Sequence, residues 1–310
     1  MDRLESMNAF VSVARAGGFS AASRELGIPL ATISRRVAEL ESALGVRLLH
    51  RSTRQVVVTE AGQTFFAACQ RALDDLRDAE DAVTSEYRTP RGDLTLTAPL
   101  AFGRLHLQPV ALEFLAAYPQ INLRMQLIDR VVNIADEHID LALRIAHLPD
   151  SSLTARALGS IRVVVCASPA YLKARGAPLR PEDLMQHDSV AWSTLGPRDT
   201  WWFRGDSGSD TQYPIRTRFA TTSAESALDA AMNGIGLVQT TSYQAAQAIG
   251  DGRLVVVLRK FECAVTPVSL LYVRDRLVPL KLRALIDFIT PRLTERLRKI
   301  AATVKAGTAP

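Results

Sequence analysis

Cysteine is scarce: 310 residues hold three, Cys69, Cys166 and Cys263. Their spacing fits neither a metal-ligand pair nor a redox pair, which argues against a disulfide framework and a structural zinc. The five histidines, His50, His106, His138, His147 and His187, form no i, i+4 pair and no cluster with cysteine, so no metal and no cofactor are expected. Long apolar runs are missing too. No stretch approaches the roughly 18 residues of a membrane span. The amino terminus carries Asp2 and Glu5 in an amphipathic pattern rather than a basic then apolar leader. A cytoplasmic protein without a membrane partner is expected. Lysine is absent from residues 1–60, which hold eight arginines against six acids, whereas 61–88 hold three arginines against six acids. Positive charge gathered at the amino-terminal end, within a net of +5, suits a polyanionic partner there.

Residues Ser20 to Leu44 read as two helices folded across a tight turn. Ser20 suits an N-cap, Ala21, Ala22 and Leu26 supply an apolar stripe, and Gly27 stands where a left-handed helix end wants glycine. Pro29 fits the first turn of the next helix, and Ile33, Val37, Leu40 and Leu44 recur at offsets of four, three and four. The outward face then holds Ala31, Arg35, Ala38 and Ser42, with Thr32 and Glu39 beside them and Ser34 and Arg36 on the flanks. This is a helix-turn-helix pattern, and its outward face suits a DNA major groove. Arg35 is placed to fork onto a guanine edge. Thr32, Ser34 and Arg36 suit phosphates or base edges, against the plainer reading of solvated helix residues. The segment Arg47 to Thr59 carries Arg47, Arg51 and Arg54 and no acid before its end, and reads as a hairpin wing whose Arg51 and Arg54 hold phosphate or enter the minor groove. The candidate DNA contacts are Ser20, Pro29, Leu30, Ala31, Thr32, Ser34, Arg35, Arg36, Arg51 and Arg54.

Upstream, Leu4, Met7, Phe10, Val11 and Ala14 make a helical stripe ended by Gly17-Gly18, with Phe19 packing beneath. Downstream, Thr59 caps a long helix in which Phe65, Ala68, Ala72, Leu76, Ala79 and Val83 repeat at three or four residues. Such a narrow stripe calls for a helical partner. Thr89-Pro90-Arg91-Gly92 then breaks the pattern. Beyond it, strands are expected at 94–98, 121–127, 141–145, 163–166, 216–221, 236–239, 254–258 and 268–273, and helices at 103–118 and 131–138. Strands alternating with helices argue for α/β layering. The tail after Ile300 has little to pack and is expected to fray.

Four features occur in one order: Phe-Ser-Ala-Ala-Ser-Arg-Glu-Leu-Gly at 19–27, Leu-Gly-Val-Arg-Leu-Leu-His-Arg-Ser-Thr-Arg at 44–54, Thr-Glu-Ala-Gly at 59–62 and Ala-Ser-Pro-Ala-Tyr-Leu at 167–172. With Asp129-Arg130-Val131-Val132 and Ile139 to Ile145, the chain resembles the LysR-type bacterial transcriptional regulators over nearly its whole length. The resemblance implies an all-α winged helix-turn-helix with a small β wing over 1–59 and a linker helix that pairs subunits over 60–89. It also implies an α/β periplasmic-binding-protein-like domain over 90–300. That domain would divide into subdomain I, about 91–161 plus 268–300, and subdomain II, about 162–267. A double-stranded DNA operator, a small-molecule effector and a homodimer or homotetramer are the implied partners. One departure stands out. The family usually has polar residues where Pro29 sits, and a polar residue or proline at Leu30, so base reading shifts toward Thr32, Ser34, Arg35 and Arg36.

Ligands of such α/β domains sit where strands end and helix N-termini present free N–H groups. Four turns qualify: Thr97, Ala98, Pro99, Leu100 and Phe102 after the first strand, Asp129 after the second, Ser168, and Thr222 with Ser223. Arg144 to His147 and Gln239-Thr240-Thr241 are added by resemblance. Ordinary helix capping explains each hydroxyl nearly as well. Hydroxyls, helix N-termini and an arginine favour an anionic or aromatic effector. Gly205-Asp206-Ser207-Gly208 copies a serine-protease nucleophile motif, but its polar loop and the absence of a matching histidine motif argue against an enzyme. Gly234-Ile235-Gly236 follows a helix and precedes a strand, the reverse of a dinucleotide turn. A solute-binding protein is opposed by the added amino-terminal ninety residues.

Overall fold

Asp2 starts the first helix: its carboxylate accepts the amide protons of Leu4 (3.0 Å) and Glu5 (3.2 Å), and α1 runs Arg3–Ala16 until Gly17, at φ 69°, ends it. The computed structural model describes residues 2–308 except 52–55, 85–88, 131, 135, 136, 138, 149–152, 194–198, 206, 207 and 274–277. At 51, 71, 74, 75 and 77–84 it describes the backbone alone. The chain forms two units, Met1–Arg88 and Thr89–Pro310.

In the first unit α2 (Phe19–Leu26) and α3 (Leu30–Leu44) follow α1. Ser20 does not cap α2. Gly18 is the N-cap and its carbonyl accepts from Ala22 N–H (3.1 Å), because half-buried Phe19 has to turn inward as the helix's first residue. Pro29 is the N-cap of α3 rather than its first-turn residue. Phe10, Val13, Ala22, Ile33, Val37 and Leu40 close a core with Leu48 and Leu49. The wing is β1 (Leu49–Arg51) antiparallel to β2 (Val56–Val58), with Leu49 opposite Val58. The long helix α4 spans Glu60–Thr84. It begins as expected at Thr59, whose Oγ accepts Gly62 N–H (2.9 Å) and donates to the Arg47 carbonyl (2.8 Å). A Cβ at Gly62 would lie 2.1 Å from the Leu48 oxygen, so only glycine lets α4 lie this close to the strand backbone. The face of α4 that joins the core is Cys69 and Leu73, buried, with Phe65 and Phe66 beside Phe10. Of the expected stripe, Ala68, Ala72 and Leu76 are exposed. The side chains of Ala79 and Val83 lie outside the described residues.

The second unit holds two five-stranded sheets. The first contains β3 (Gly92–Ala98), β4 (Ile121–Leu127), β5 (Leu141–Ile145), β6 (Leu153–Ile161) and, returning late in the chain, β14 (Thr266–Val273). Its order is β4-β3-β5-β14-β6, with β3 parallel to β4 and β5, and β14 antiparallel to β5 and β6. The second sheet contains β7 (Val163–Ala167), β8 (Asp188–Trp192), β11 (Arg216–Thr221), β12 (Leu237–Thr241) and β13 (Val255–Val257), in the order β11-β8-β12-β7-β13. Between β8 and β11 lies a separate hairpin, β9 (Thr200–Arg204) and β10 (Asp210–Pro214). After β3 the helix starts at Leu100, not Gly103. Its first turn, α5 (Leu100–Phe102), passes through a π-turn at Gly103–Leu107 into α6 (Gln108–Ala117). The remaining helices are α7 (Pro169–Arg175), α8 (Ala224–Met232), α9 (Ser242–Gly250) and α10 (Leu280–Ala306).

Two expectations fail here. Among the described residues of 131–138 there is a turn and no helix. The tail does not fray. Helix α10 continues to Ala306 with Val304 4% exposed, and the Gly307 carbonyl accepts Val256 N–H at 2.9 Å, because one valine and a backbone strand partner suffice to dock it. One apolar core joins both sheets through α6, α8, α9 and α10. The chain crosses between sheets at Arg162, whose amide donates to Ser242 Oγ (3.1 Å) and whose guanidinium pairs with Glu262 (2.8 Å), before β14.

Candidate nucleic-acid interface and ligand cleft

The turn between α2 and α3 is locked from both sides. Gly27, at φ 65°, sends its N–H back to the Ser23 carbonyl, and the Ser23 hydroxyl donates to the Ile28 carbonyl at 2.6 Å. With Ile33, Val37 and Leu40 fully buried, the opposite face of α3 is fixed. Pro29, Leu30, Ala31, Arg35 and Ala38 are exposed, and Thr32 and Ser34 are half-buried at its edges. The Arg35 side chain is 72% exposed and only loosely near Glu39, at 3.8 Å within the same helix. Arg36 is different. Its guanidinium donates to the Glu5 carboxylate on α1 and its side chain is 20% exposed. Here it ties α3 to α1, since the flank position turns it toward the neighbouring helix. Ser20 is exposed in the first turn of α2. The side chain of Arg51, and Arg54 altogether, lie outside the described residues. Glu41, missed as a contributor, accepts both Leu48 N–H (2.9 Å) and Leu49 N–H (3.0 Å) and joins α3 to the wing.

In the second unit, three expected ligand groups serve as helix caps. Asp129 accepts Leu100 N–H (3.0 Å), Ser168 accepts Tyr171 N–H (3.3 Å), and Ser223 accepts Ser226 N–H (3.2 Å) while donating to Glu225 (3.0 Å). Phe102 is buried against His106 and Tyr243, with ring centroids 5.0 and 5.1 Å away. Burial holds the His106 imidazole below the ordinary histidine range. Ala98 is buried, Pro99 is half-buried, and Leu100, His147 and Thr222 are exposed. Thr97 Oγ and Arg144 Nη2 are buried with no hydrogen-bond partner. They lie on adjacent strands, where Thr97 pairs with Ala142 two residues before Arg144. Desolvation lowers the Arg144 pKa, and Glu137 partly opposes it.

A cavity of about 270 Å³ opens where β8 and β12 end. Of the expected groups, the Gln239-Thr240-Thr241 run lines it. Sequence reasoning missed its other walls, Val163, Trp192, Ser193, Thr200, Trp201 and Trp202. The signal was available: all three tryptophans of the chain fall within eleven residues. Trp192 Nε1–H donates to the Gln239 carbonyl (2.7 Å), and Gln239 Nε2–H donates to the Trp202 carbonyl (3.1 Å), which fixes the walls relative to one another. Cys166 is fully buried and burial raises its thiol pKa, the opposite of a reactive thiolate. Asp206 and Ser207 of the protease-like motif lie outside the described residues. No three histidine, cysteine or carboxylate side chains cluster as a metal site among the described residues, and no helix among them is long and apolar enough to cross a membrane.

Comparison with known proteins agrees over both units. Residues 4–63 match the model of the bacterial regulatory helix-turn-helix protein, lysR family, and residues 88–294 match the LysR substrate binding domain. A HTH-type transcriptional regulator of Xanthomonas campestris is 37% identical over 92% of this chain and 83% of its own length. A HTH-type transcriptional repressor of Pseudomonas aeruginosa is 32% identical over 100% of this chain and 99% of its own. The solved structure of CrgA, a LysR-type transcriptional regulator from Neisseria meningitidis, is similar with TM-score 0.58 and 32% identity, over 93% of this chain and 98% of that one.

Proposed function

The chain belongs to the LysR family of helix-turn-helix transcriptional regulators, and from that premise we propose how its two units divide the work. It is a DNA-binding regulator with an effector-binding domain, not an enzyme. In the proposal, α3 enters the major groove of a two-fold-related operator in the cytoplasm. Arg35 reads a base edge, Pro29, Leu30, Ala31, Thr32 and Ser34 fill the groove around it, and Arg51 and Arg54 hold the backbone. The observation that carries this is the exposure of Arg35 opposite a fully buried Ile33-Val37-Leu40 face. Subunits pair through α4 as a homodimer or, where two such pairs join, a homotetramer. A small aromatic or anionic metabolite binds at the strand ends of the second unit. It shifts the regulator between arrangements only by its difference in affinity for them.

The test is footprinting of operator fragments selected from genomic DNA. Arg35→Ala is expected to lose about 1–3 kcal/mol of base discrimination while keeping salt-sensitive nonspecific binding and an unchanged melting temperature. An unaltered footprint removes Arg35 from the reading.

A further inference from the structure

Asp188, the first residue of β8, is reached by three arginines: Arg216 at 2.7 Å and Arg218 at 3.5 Å, both on β11, and Arg175 at 3.5 Å, at the end of α7. We propose that this cluster is a binding site for a doubly charged tetrahedral oxyanion, the phosphoryl group of a phosphorylated compound being the type. It lies at the opposite end of β8 from the cavity, roughly 13 Å along the strand, and does not depend on the effector reading above.

The sequence builds the cluster from two sides. Tyr171 is buried in α7 and its hydroxyl accepts Asp188 N–H (2.9 Å), which pins the helix to the start of the strand. Arg175 follows four residues later on the same helix face. On the other side β11 runs parallel to β8, with Arg216 opposite Asp188 and Thr217 opposite Ser189, and a bulge then leaves Arg218 without a partner before Phe219 pairs with Val190. Bulges re-aim side chains, and this one brings a second arginine of β11 to the same carboxylate. Charge decides what the cluster can do. Three guanidiniums against one carboxylate leave a surplus of two positive charges, and none of the three pairs with another described carboxylate. Asp183, the next acid to act on this corner, spends its Oδ2 on the N–H groups of Leu179 (2.8 Å) and Arg180 (3.0 Å). Arg216 alone makes a hydrogen bond to Asp188. Holding two further like charges beside it costs free energy that a structural ion pair does not require. Accessibility points the same way. The Asp188 side chain is 11% exposed, whereas those of the three arginines are each near half exposed. Solvent therefore meets guanidinium forks rather than the carboxylate, and each fork carries five N–H donors shaped for phosphate oxygens. A phosphate monoester near pH 7 carries a charge of about −1.5 to −2, which matches the surplus.

Inorganic phosphate is the probe, titrated into the full-length protein by calorimetry at constant ionic strength, with sulfate as a second tetrahedral dianion and nitrate as a planar monoanion. Phosphate and sulfate are expected to bind saturably, and nitrate to bind more weakly by about tenfold or more. The double variant Arg175→Gln with Arg218→Gln spares the bonded Arg216–Asp188 pair. Its phosphate affinity is expected to fall by about tenfold or more. In low salt without phosphate it is expected to melt no lower than the parent, because the substitutions remove mutual repulsion. Arg218→Lys keeps the charge and loses the fork, and is expected to weaken phosphate by about fivefold. Phosphate bound by the double variant as tightly as by the parent belongs to other arginines of the chain and overturns the proposal. Nitrate binding as tightly as phosphate does the same, and so does a lower melting temperature of the phosphate-free variant, which makes the cluster a structural ion-pair network. Phenyl phosphate and a short DNA duplex of unrelated sequence separate the two sources of the group. Phenyl phosphate weakened in the double variant with duplex binding unchanged identifies a small phosphorylated compound as the ligand, and duplex binding weakened alongside it identifies the nucleic-acid backbone.

Discussion

At position 62 a hydrogen in place of a methyl group decides how the linker helix meets the wing. The Leu48 carbonyl occupies the space a Cβ would need, at 2.1 Å, and Val58 Cγ1 stands at 2.8 Å. Because the obstacle is backbone, Gly62→Ala has to move the helix or the strand. A cost near the upper end of about 1–3 kcal/mol is expected, read as a lower denaturation midpoint with an unchanged slope. Thr59→Ala, which removes the cap to Gly62 N–H, is expected to cost less, about 1 kcal/mol. A Gly62→Ala midpoint equal to the parent's would refute the contact. The Thr-Glu-Ala-Gly run was recognisable in the sequence as a family feature, but its reason was not, since the clashing oxygen lies fourteen residues upstream. Arg36 shows the same limit. A helical wheel gives the angle of a side chain and not the neighbour it meets, and Glu5 is thirty-one residues away. Arg35, whose role needs only the buried face opposite, could be placed from periodicity alone.

Among elements, α4 is the one whose periodicity supports two answers. Phe65, Cys69 and Leu73 repeat every four residues, as do Ala68, Ala72 and Leu76, and Cys69 and Leu73 stand one residue, or about 100°, beyond Ala68 and Ala72, so both sets repeat at helical spacing. The sequence reading chose the second set apart from Phe65, and the structure buries the first against the core of its own unit. That leaves the second stripe on the outside, with Leu76 40% exposed. If α4 pairs subunits as proposed, Leu76→Asp places a charge at an apolar contact where it has no partner. Self-association measured by sedimentation is expected to weaken by roughly tenfold or more, while the melting of the amino-terminal unit stays put because Leu76 is outside its core. An undisturbed dimer would move the interface elsewhere. The strands were legible where apolar residues alternate or run together, as at β3, β4 and β14. They were missed at β6, β8, β9 and β10. The β6 burial pattern is mostly exposed with two buried positions, and β10 has none fully buried, so neither carries the alternation that marks a half-buried strand. The cavity walls contributed by β8 and β9 were lost with them.

For the carboxyl-terminal unit as a whole, α10 is the member that closes the fold. It packs on α6 and β6 of the first sheet's half and on α9 of the second's, and its last turn returns to β13. There the Gly307 carbonyl accepts Val256 N–H, and Arg259 donates to the Lys305 carbonyl (3.2 Å) and to Thr308 Oγ (3.1 Å). A tail with a single valine among alanines and threonines announces none of this, because most of its partners are backbone groups supplied by a distant strand. Deleting residues 301–310 discards the burial of Val304, worth about 1.5–3 kcal/mol, and the hydrogen bond to Val256, worth about 1 kcal/mol. The loss of roughly 3 kcal/mol corresponds to a fall of about 6–12 °C in the melting temperature of a unit this size. Scanning calorimetry of the truncated chain should show that fall in the transition of the carboxyl-terminal unit. The transition of the amino-terminal unit is expected to stay where it is, since no residue of 301–310 belongs to its core. A truncated chain that melts like the intact one would mean that α10 is anchored by its first five turns alone, and that Val304 and the β13 contacts add nothing to the closure.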